Sequence, residues 1–307
     1  MEISIKNQLR LIKVFYMLKR MPPTDNIMIF SDPRGGSTWL LELLLQIPYT
    51  TTLWEPFHVN NGIVPASLNL GWRPFVAEFE VRKDIYNLFT KLLTGRLINE
   101  WVNYGTTIQQ SFYTKQFIIK NVRLNSMLPW LTKNFNFKHK PIYLLRHPMA
   151  VALSQLKAFK KEEKFEPYPV PKVVRDDVYS QRELYLSTLT TKLEQQIAEW
   201  CLHNVDTIKH ARAMKDWHLV YYENLLIEPE KELESIFSAL KINMPKQILA
   251  KFTQASKTDF ENDFIAESTK QISKWKDTVT ENELESCEKI LKYFEIDNYS
   301  CYNTMPL

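Results

Sequence analysis

The residues Asp32-Pro33-Arg34-Gly35-Gly36-Ser37-Thr38 put two adjacent glycines, one fixed positive charge and two hydroxyls into a single short turn. Glycines allow a backbone to bend tightly enough to aim several N–H groups at one anion. A helix N-terminus behind such a turn adds its dipole. Arg34 supplies charge, and Ser37 and Thr38 supply hydroxyl donors at the first helical turn.

Against the triphosphate loop G-x-x-x-x-G-K-S/T, Ser31 stands where the first glycine belongs and Gly36 where the lysine belongs. A loop without that lysine is a poor site for ATP hydrolysis or kinase chemistry and a good cradle for an anion that needs no divalent metal. A second basic and hydroxyl pair occurs in "LLRHPMAVALS", where Ser154 follows Arg146 by eight residues. The arginine closes an apolar strand and the serine sits two turns into the next helix, so both can face one phosphate. Taken alone, Arg146 fits an exposed ion pair equally well.

These groups need a frame that brings them together. Short apolar or β-branched runs at 27–31, 49–58, 116–122, 141–148 and 217–225 read as strands. Helical patterns follow at 38–47, 149–159, 184–213, 229–242 and 280–294, the last with Thr280 and Glu283 in capping-box positions. Strands alternating with helices predict an α/β fold: a P-loop-like parallel sheet flanked by helices. Ligands then bind beyond the carboxyl ends of the strands, so the loops after the first four strands share one site. Residues 60–115 are aromatic-rich and read as helices and loops. Residues 160–183, with "KKEEKFEPYPVP", predict a surface loop or lid.

A chain of 307 residues with 45% apolar composition supports one large α/β domain over 1–307. The net charge of +4 suits anionic ligands and is too small to mark a nucleic-acid binder. Cys201, Cys287 and Cys301 form no C-x-x-C pair and no zinc spacing, which predicts no metal site and reduced thiols in a reducing compartment, with buried or incidental cysteines as the plainer reading. Over 1–23, Ile5, Leu9, Ile12, Phe15 and Leu18 fall at helical spacing, with Lys6, Arg10 and Lys13 between them. Those charges exclude a signal-peptide core. They predict an amphipathic helix, packed on its own domain or laid weakly on an anionic membrane surface. No apolar run reaches the ~18 residues of a membrane span, so the expected setting is cytoplasmic. The sequon at Asn298 is set aside for want of a secretion signal.

Together, "SDPRGGSTWLLELL" and "LLRHPMAVALS" resemble the sulfotransferases that use PAPS, 3′-phosphoadenosine 5′-phosphosulfate. "WEPFH", "IIKNVRL", "VYYENLLIEP" and "SKWKDTVTENELESCEKILKYF" follow in the order seen in the branch acting on carbohydrates and tyrosyl residues. The resemblance extends over most of the chain and is weakest at 60–115 and 160–195. It implies the three-layer sulfotransferase fold, PAPS as sulfuryl donor, no metal, and an acceptor hydroxyl or amine on a small molecule or glycan. It implies that Arg34, Gly35, Gly36, Ser37, Thr38 and Trp39 hold the 5′-phosphosulfate end and that Arg146 and Ser154 grip the 3′-phosphate. Tyr222 would meet the nucleotide, although a sheet-packing aromatic is the plainer reading. Ser268, Thr269, Lys270 and Lys274 in "ESTKQISKW" would close over the 3′-phosphate and adenine, without the Arg-Lys-Gly of the cytosolic branch.

Sulfuryl transfer needs in-line positioning, stabilisation of charge on the bridging oxygen and removal of the acceptor proton. Arg34 and Lys120 are the expected cations, with a solvated strand-end lysine as the plainer reading of Lys120. Where the branch acting on phenols and steroids carries a histidine, two positions after the lysine, this chain has Val122. The base therefore lies elsewhere. Glu55 is the first candidate, since the resembling branch uses a glutamate in a similar place; it also fits a structural partner of a nearby arginine. His58 is the reserve, or else a loop histidine bonded to backbone. A nucleotide kinase would need the missing lysine, and a non-catalytic nucleotide-binding module would keep the cleft without the catalytic groups.

Overall fold

The computed structural model describes residues 22, 24–68, 70–159, 182–252 and 267–307. The amphipathic stretch over 1–23 and the loop over 160–183 lie outside the described residues, Pro22 and residues 182–183 apart. Five strands, β1 (Ile27–Phe30), β2 (Thr50–Trp54), β3 (Gln116–Asn121), β4 (Ile142–Leu145) and β5 (His218–Tyr221), form one sheet in the order β2-β3-β1-β4-β5. Every pairing is parallel. The helices are α1 (Ser37–Leu44), α2 (Lys83–Leu93), α3 (Ile108–Tyr113), α4 (Leu128–Asn134), α5 (Pro148–Ala158), α6 (Glu183–Leu186), α7 (Lys192–Met214), α8 (Tyr222–Ile227), α9 (Pro229–Leu240), α10 (Ser268–Ser273) and α11 (Glu281–Tyr293).

The strands are largely buried because both faces of the sheet are covered. Met28, Phe30, Ile119 and Leu145 enter one core, with Leu88 of α2, Leu131 of α4, Val151 of α5, Ile197 of α7 and Ile290 of α11. Their neighbours Ile27, Ile29, Ile118 and Leu144 enter the other, with Leu40 of α1, Leu225 of α8 and Ile236 of α9. The alternation has the strand period of two and produces the expected three layers. Among the described residues no helix is long and apolar enough to cross a membrane.

Two element boundaries differ from the sequence reading. The helix expected over 184–213 is two: α6 ends at Leu186, and α7 starts anew at Lys192. The Oγ1 of Thr191 accepts from Glu194 N at 3.1 Å, and the Glu194 carboxylate accepts from Thr191 N at 2.9 Å. This reciprocal cap fixes a fresh helix start. The strand expected over 217–225 ends at Tyr221, and Tyr222 opens α8. A short apolar run does not distinguish strand from buried helix, and here the carboxylate of Glu223 decides. It turns inward and accepts from His147 N at 2.8 Å and from Tyr299 OH at 2.9 Å. Asn298, fully buried, donates to Tyr221 OH, so the sequon is inside the fold.

His147 ties α5 to the C-terminal segment. Its Nδ1 accepts from Met149 N at 3.2 Å, its Nε2 faces Ser300 O at 3.1 Å, and its ring stacks on Trp275 at 4.6 Å. Burial lowers its pKa to about 4, against the pull of the Ser300 carbonyl. The folded form therefore binds fewer protons than the unfolded form between pH ~4 and ~6.5. Stability from this group is complete above pH ~6.5 and is lost as pH falls toward 4, by up to about 3 kcal/mol. His147→Asn keeps the cap on Met149 N. Urea denaturation from pH 7 to 4.5 should show a shallower loss of stability in that variant than in the wild type; equal slopes would remove His147 as the cause.

Candidate active site

The loop from Ser31 to Gly36 follows the central strand β1 and is anchored to β3 by Ser31 N, which donates to Asn121 O at 3.1 Å. Gly35 N closes the turn on Asp32 O at 3.0 Å. A β-carbon on Gly35 would stand 2.3 Å from Ser31 Oγ, so only glycine fits. Gly36 has φ 90° and caps α1 without a side-chain hydrogen bond. The first N–H groups of α1 thus have no side-chain cap at the mouth of the loop. A β-carbon on Gly36 would also lie 2.6 Å from the Tyr222 ring. The lysine of a triphosphate loop has no room there.

Tyr222 joins the separate parts of the loop region. Its ring lies beneath the Arg146 guanidinium at 4.6 Å and meets the edge of Trp39 at 5.7 Å. Its hydroxyl accepts from Gln271 Nε2 of α10 at 3.4 Å. Arg146 Nη1 donates to Arg34 O at 3.0 Å, and Arg34 Nε donates to Ser154 Oγ at 2.9 Å. Gln155 Nε2 adds a bond to Pro33 O at 2.8 Å. Arg34 therefore converges with Arg146 and Ser154, which lie more than a hundred residues later in the sequence. Arg34 holds φ 66°, a strained conformation for a residue with a β-carbon. Of the residues expected to close over the nucleotide, Thr269 and Lys270 are exposed and turned to Glu267. Ser268 is half-buried at the start of α10, and Lys274 follows its end. The contact from α10 to Tyr222 comes from Gln271, which the sequence reading did not single out.

On the neighbouring strands β3 and β2, register sets the second cluster. Trp54 of β2 is paired with Lys120 of β3, and Lys120 Nζ lies 3.6 Å from the Trp54 ring centre. The same ammonium donates to Glu55 Oε1 at 2.7 Å. Lys120 is only 3% exposed, so it is no solvated strand-end lysine. Burial lowers its pKa, and the Glu55 carboxylate opposes that shift. Glu55 has φ 36°, its carbonyl accepts from His58 N at 3.0 Å, and its amide donates to Lys120 O at 3.1 Å. Arg123 Nη2 approaches the other carboxylate oxygen to 4.0 Å.

His58 accepts at Nδ1 from Asn60 N and Asn61 N, each at 3.3 Å. Burial, then Arg123, lower its pKa. A neutral ring so bonded carries its proton on Nε2. Asp32 is the unforeseen member of the site. It accepts from Asn204 Nδ2 at 2.6 Å and faces Arg73 Nη1 at 3.4 Å. Burial raises its pKa while Arg73 pulls against the rise. Arg73 comes from the stretch with no readable periodicity, and no local pattern in the sequence announces its partner.

Gly36→Ala should destabilise the fold by at least about 1–2 kcal/mol, from the left-handed backbone alone. Chemical denaturation at pH 7 reads it, and an unchanged unfolding free energy would mean that the Tyr222 contact is dispensable.

Structures of similar shape include a mouse sulfotransferase complexed with PAP, at 15% identity, covering 92% of this chain and 90% of that one with a TM-score of 0.49. The sulfotransferase domain of a Synechococcus olefin synthase matches at 19% identity over 89% of this chain and 94% of its own, TM-score 0.47. The sulfotransferase domain from the curacin biosynthetic pathway matches at 15% identity over 88% and 97%, TM-score 0.48. No curated protein sequence matches significantly. The sulfotransferase-domain family profile covers residues 24–298, which spans the glycine loop, the Lys120–Glu55 pair and the Arg146–Ser154 convergence. On that match the chain belongs to the sulfotransferase family.

Proposed function

We propose that the protein transfers the sulfuryl group of PAPS to a hydroxyl or amine of a small-molecule or carbohydrate acceptor, with Glu55 as the base. The observation that carries this reading is the Lys120–Glu55 pair, 2.7 Å apart, at the carboxyl ends of the strands beside a lysine-free anion loop.

The residues suit the donor. Ser31 Oγ is buried beneath Gly35 with no hydrogen-bond partner among the described residues, and the start of α1 carries no side-chain cap. In this reading Gly35, Gly36 and the N–H groups and hydroxyls of Ser37 and Thr38 hold the phosphosulfate end, with Trp39 packed behind them. Arg146 and Ser154 take the 3′-phosphate, and Tyr222 supports Arg146 from below. Gln271 borders that end through Tyr222, and Ser268, Thr269, Lys270 and Lys274 on the same segment are the donors this reading assigns to closing it, with Thr269 and Lys270 having to leave Glu267 to do so. PAPS supplies a sulfuryl group on a good leaving oxygen. The protein has to orient it, stabilise charge and accept one proton.

Arg34 and Lys120 are the cations for the leaving oxygen. Glu55 is hydrogen-bonded to one of them, so the charge-stabilising group and the base form a single unit. The acceptor oxygen or nitrogen attacks sulfur, the bond to the bridging oxygen breaks, and the acceptor proton passes to Glu55. His58 is the weaker candidate, because backbone amides occupy its Nδ1 and its Nε2 bears the proton.

Arg146→Ala should weaken PAP binding by about 1.5–3 kcal/mol, the worth of a hydrogen bond to a charged group. Unchanged affinity by calorimetry would take Arg146 out of the nucleotide site.

Glu55→Gln keeps the side-chain shape but not the proton acceptor. PAP affinity should stay within a factor of a few while turnover of labelled PAPS falls roughly 10²–10⁴-fold. Retained activity in this variant, together with its loss in His58→Ala, would move the base to His58. Binding of PAP without turnover on a broad acceptor panel would point to a nucleotide-binding module.

A further inference from the structure

Two arginines lie close enough to repel one another, Arg123 beside Glu55 and Arg73 beside Asp32. Arg123 follows β3, and Arg73 comes from the connection between β2 and α2. Their side chains are 16% and 15% exposed, so both are largely withdrawn from water yet reachable. Neither has an ideal partner. Arg123 reaches Glu55 only at 4.0 Å, at the carboxylate oxygen that Lys120 leaves open. Its Nε is buried with no hydrogen-bond partner among the described residues, and its guanidinium lies over the Trp72 ring at 4.6 Å. Arg73 donates to Val122 O at 3.0 Å and sits 3.4 Å from Asp32.

No nearby carboxylate matches the Arg123 fork. Lys120 holds the near oxygen of Glu55, Asp32 faces Arg73 and Asn204, Glu42 acts on Lys120 and Glu199 on Asp32. Burial and then Arg73 disfavour charge on Arg123, with Glu55 alone acting the other way, and His58 beside it is kept neutral. A desolvated guanidinium without a matched carboxylate is costly, and a bidentate oxyanion is the ligand that fits its planar fork. The adjoining walls are flat and aromatic: His58 lies 5.5 Å from Trp72 and 4.8 Å from Trp101.

We propose that the acceptor carries an oxyanion, a carboxylate or a sulfate ester, next to its nucleophile, and that Arg123 binds it with Arg73 in support. The inference rests on the sulfuryl-transfer reading above. It makes Arg123 a specificity-determining residue: the anion docks on the guanidinium, and the nucleophile beside it is delivered to Glu55.

The test uses the full chain, labelled PAPS and two acceptor pairs that share a nucleophile and differ in charge. These are 4-hydroxyphenylacetate against its methyl ester, and methyl glucuronoside against methyl glucoside. At least one anion should show kcat/KM at least tenfold above its neutral partner. Arg123→Gln should remove that preference through the acceptor KM, and Arg123→Lys should restore part of it. PAP affinity by calorimetry should not change in either variant. Calorimetric titration of the PAP-saturated protein with the same four compounds gives the comparison even without turnover. If neither anion is preferred over its neutral partner in turnover or in binding, the inference is overturned. It is equally overturned by a preference that survives Arg123→Gln. A failure of the wild type to bind PAP at all would instead sink the sulfuryl-transfer reading, and the site with it.

Discussion

The close approach of Tyr222 to Gly36 governs the mouth of the sheet. A β-carbon at Gly36 would stand 2.6 Å from the ring, so the loop passes flat across Tyr222, and φ 90° follows from that path. The ring in turn fixes the Arg146 guanidinium above it, and Arg146 holds the Arg34 carbonyl. Arg34 then meets Ser154. One aromatic contact thus orders a chain of hydrogen bonds from α8 through the loop to α5. It also removes the space where a triphosphate loop keeps its lysine, and with it the means of holding a metal-bound triphosphate.

The second feature is strain held in place by burial. Arg34 and Glu55 both occupy left-handed backbone, at about 1–2 kcal/mol each for residues with a β-carbon. Such conformations persist where surrounding contacts over-determine them, and they concentrate at functional sites. At Glu55 those contacts are the amide bond to Lys120 O, the carbonyl bonds from His58 N and Trp101 Nε1, and the Lys120 ammonium on the carboxylate. The ion pair is weak evidence for stability, because desolvation of Lys120 offsets much of its Coulomb energy. Its value lies in geometry: it points a carboxylate and an ammonium at the same place.

Asp32 shows how the glycine loop and the segment that carries Arg73 are joined. Its carboxylate is shared between Asn204 of α7 and Arg73, and Asn204 also accepts from Tyr143 OH of β4. A buried polar network of this kind is costly if half satisfied, and among the described residues Asp32 Oδ1 has only the long contact to Arg73. The segment that carries Arg73 is thereby fixed relative to the glycine loop.

The sequence by itself determined what depends on near neighbours. The apolar strands show as runs because both sheet faces are buried, the glycine pair announces a turn no other residue fits, and the Thr280–Glu283 cap is complete within four residues. The Thr191–Glu194 cap was equally legible and breaks the helix expected over 184–213. Arg34, Arg146 and Ser154 could be singled out because each lies in a motif that reads locally. The tertiary structure alone decided what depends on strand order and register. β2 lies beside β3, not β1, and only that adjacency sets Lys120 against Trp54 and Glu55. Arg73 reaches Asp32 from a stretch without period, and Tyr222 begins a helix because Glu223 finds buried donors on His147 and Tyr299. These contacts join segments tens of residues apart, and no pattern within any one segment encodes the distance between them.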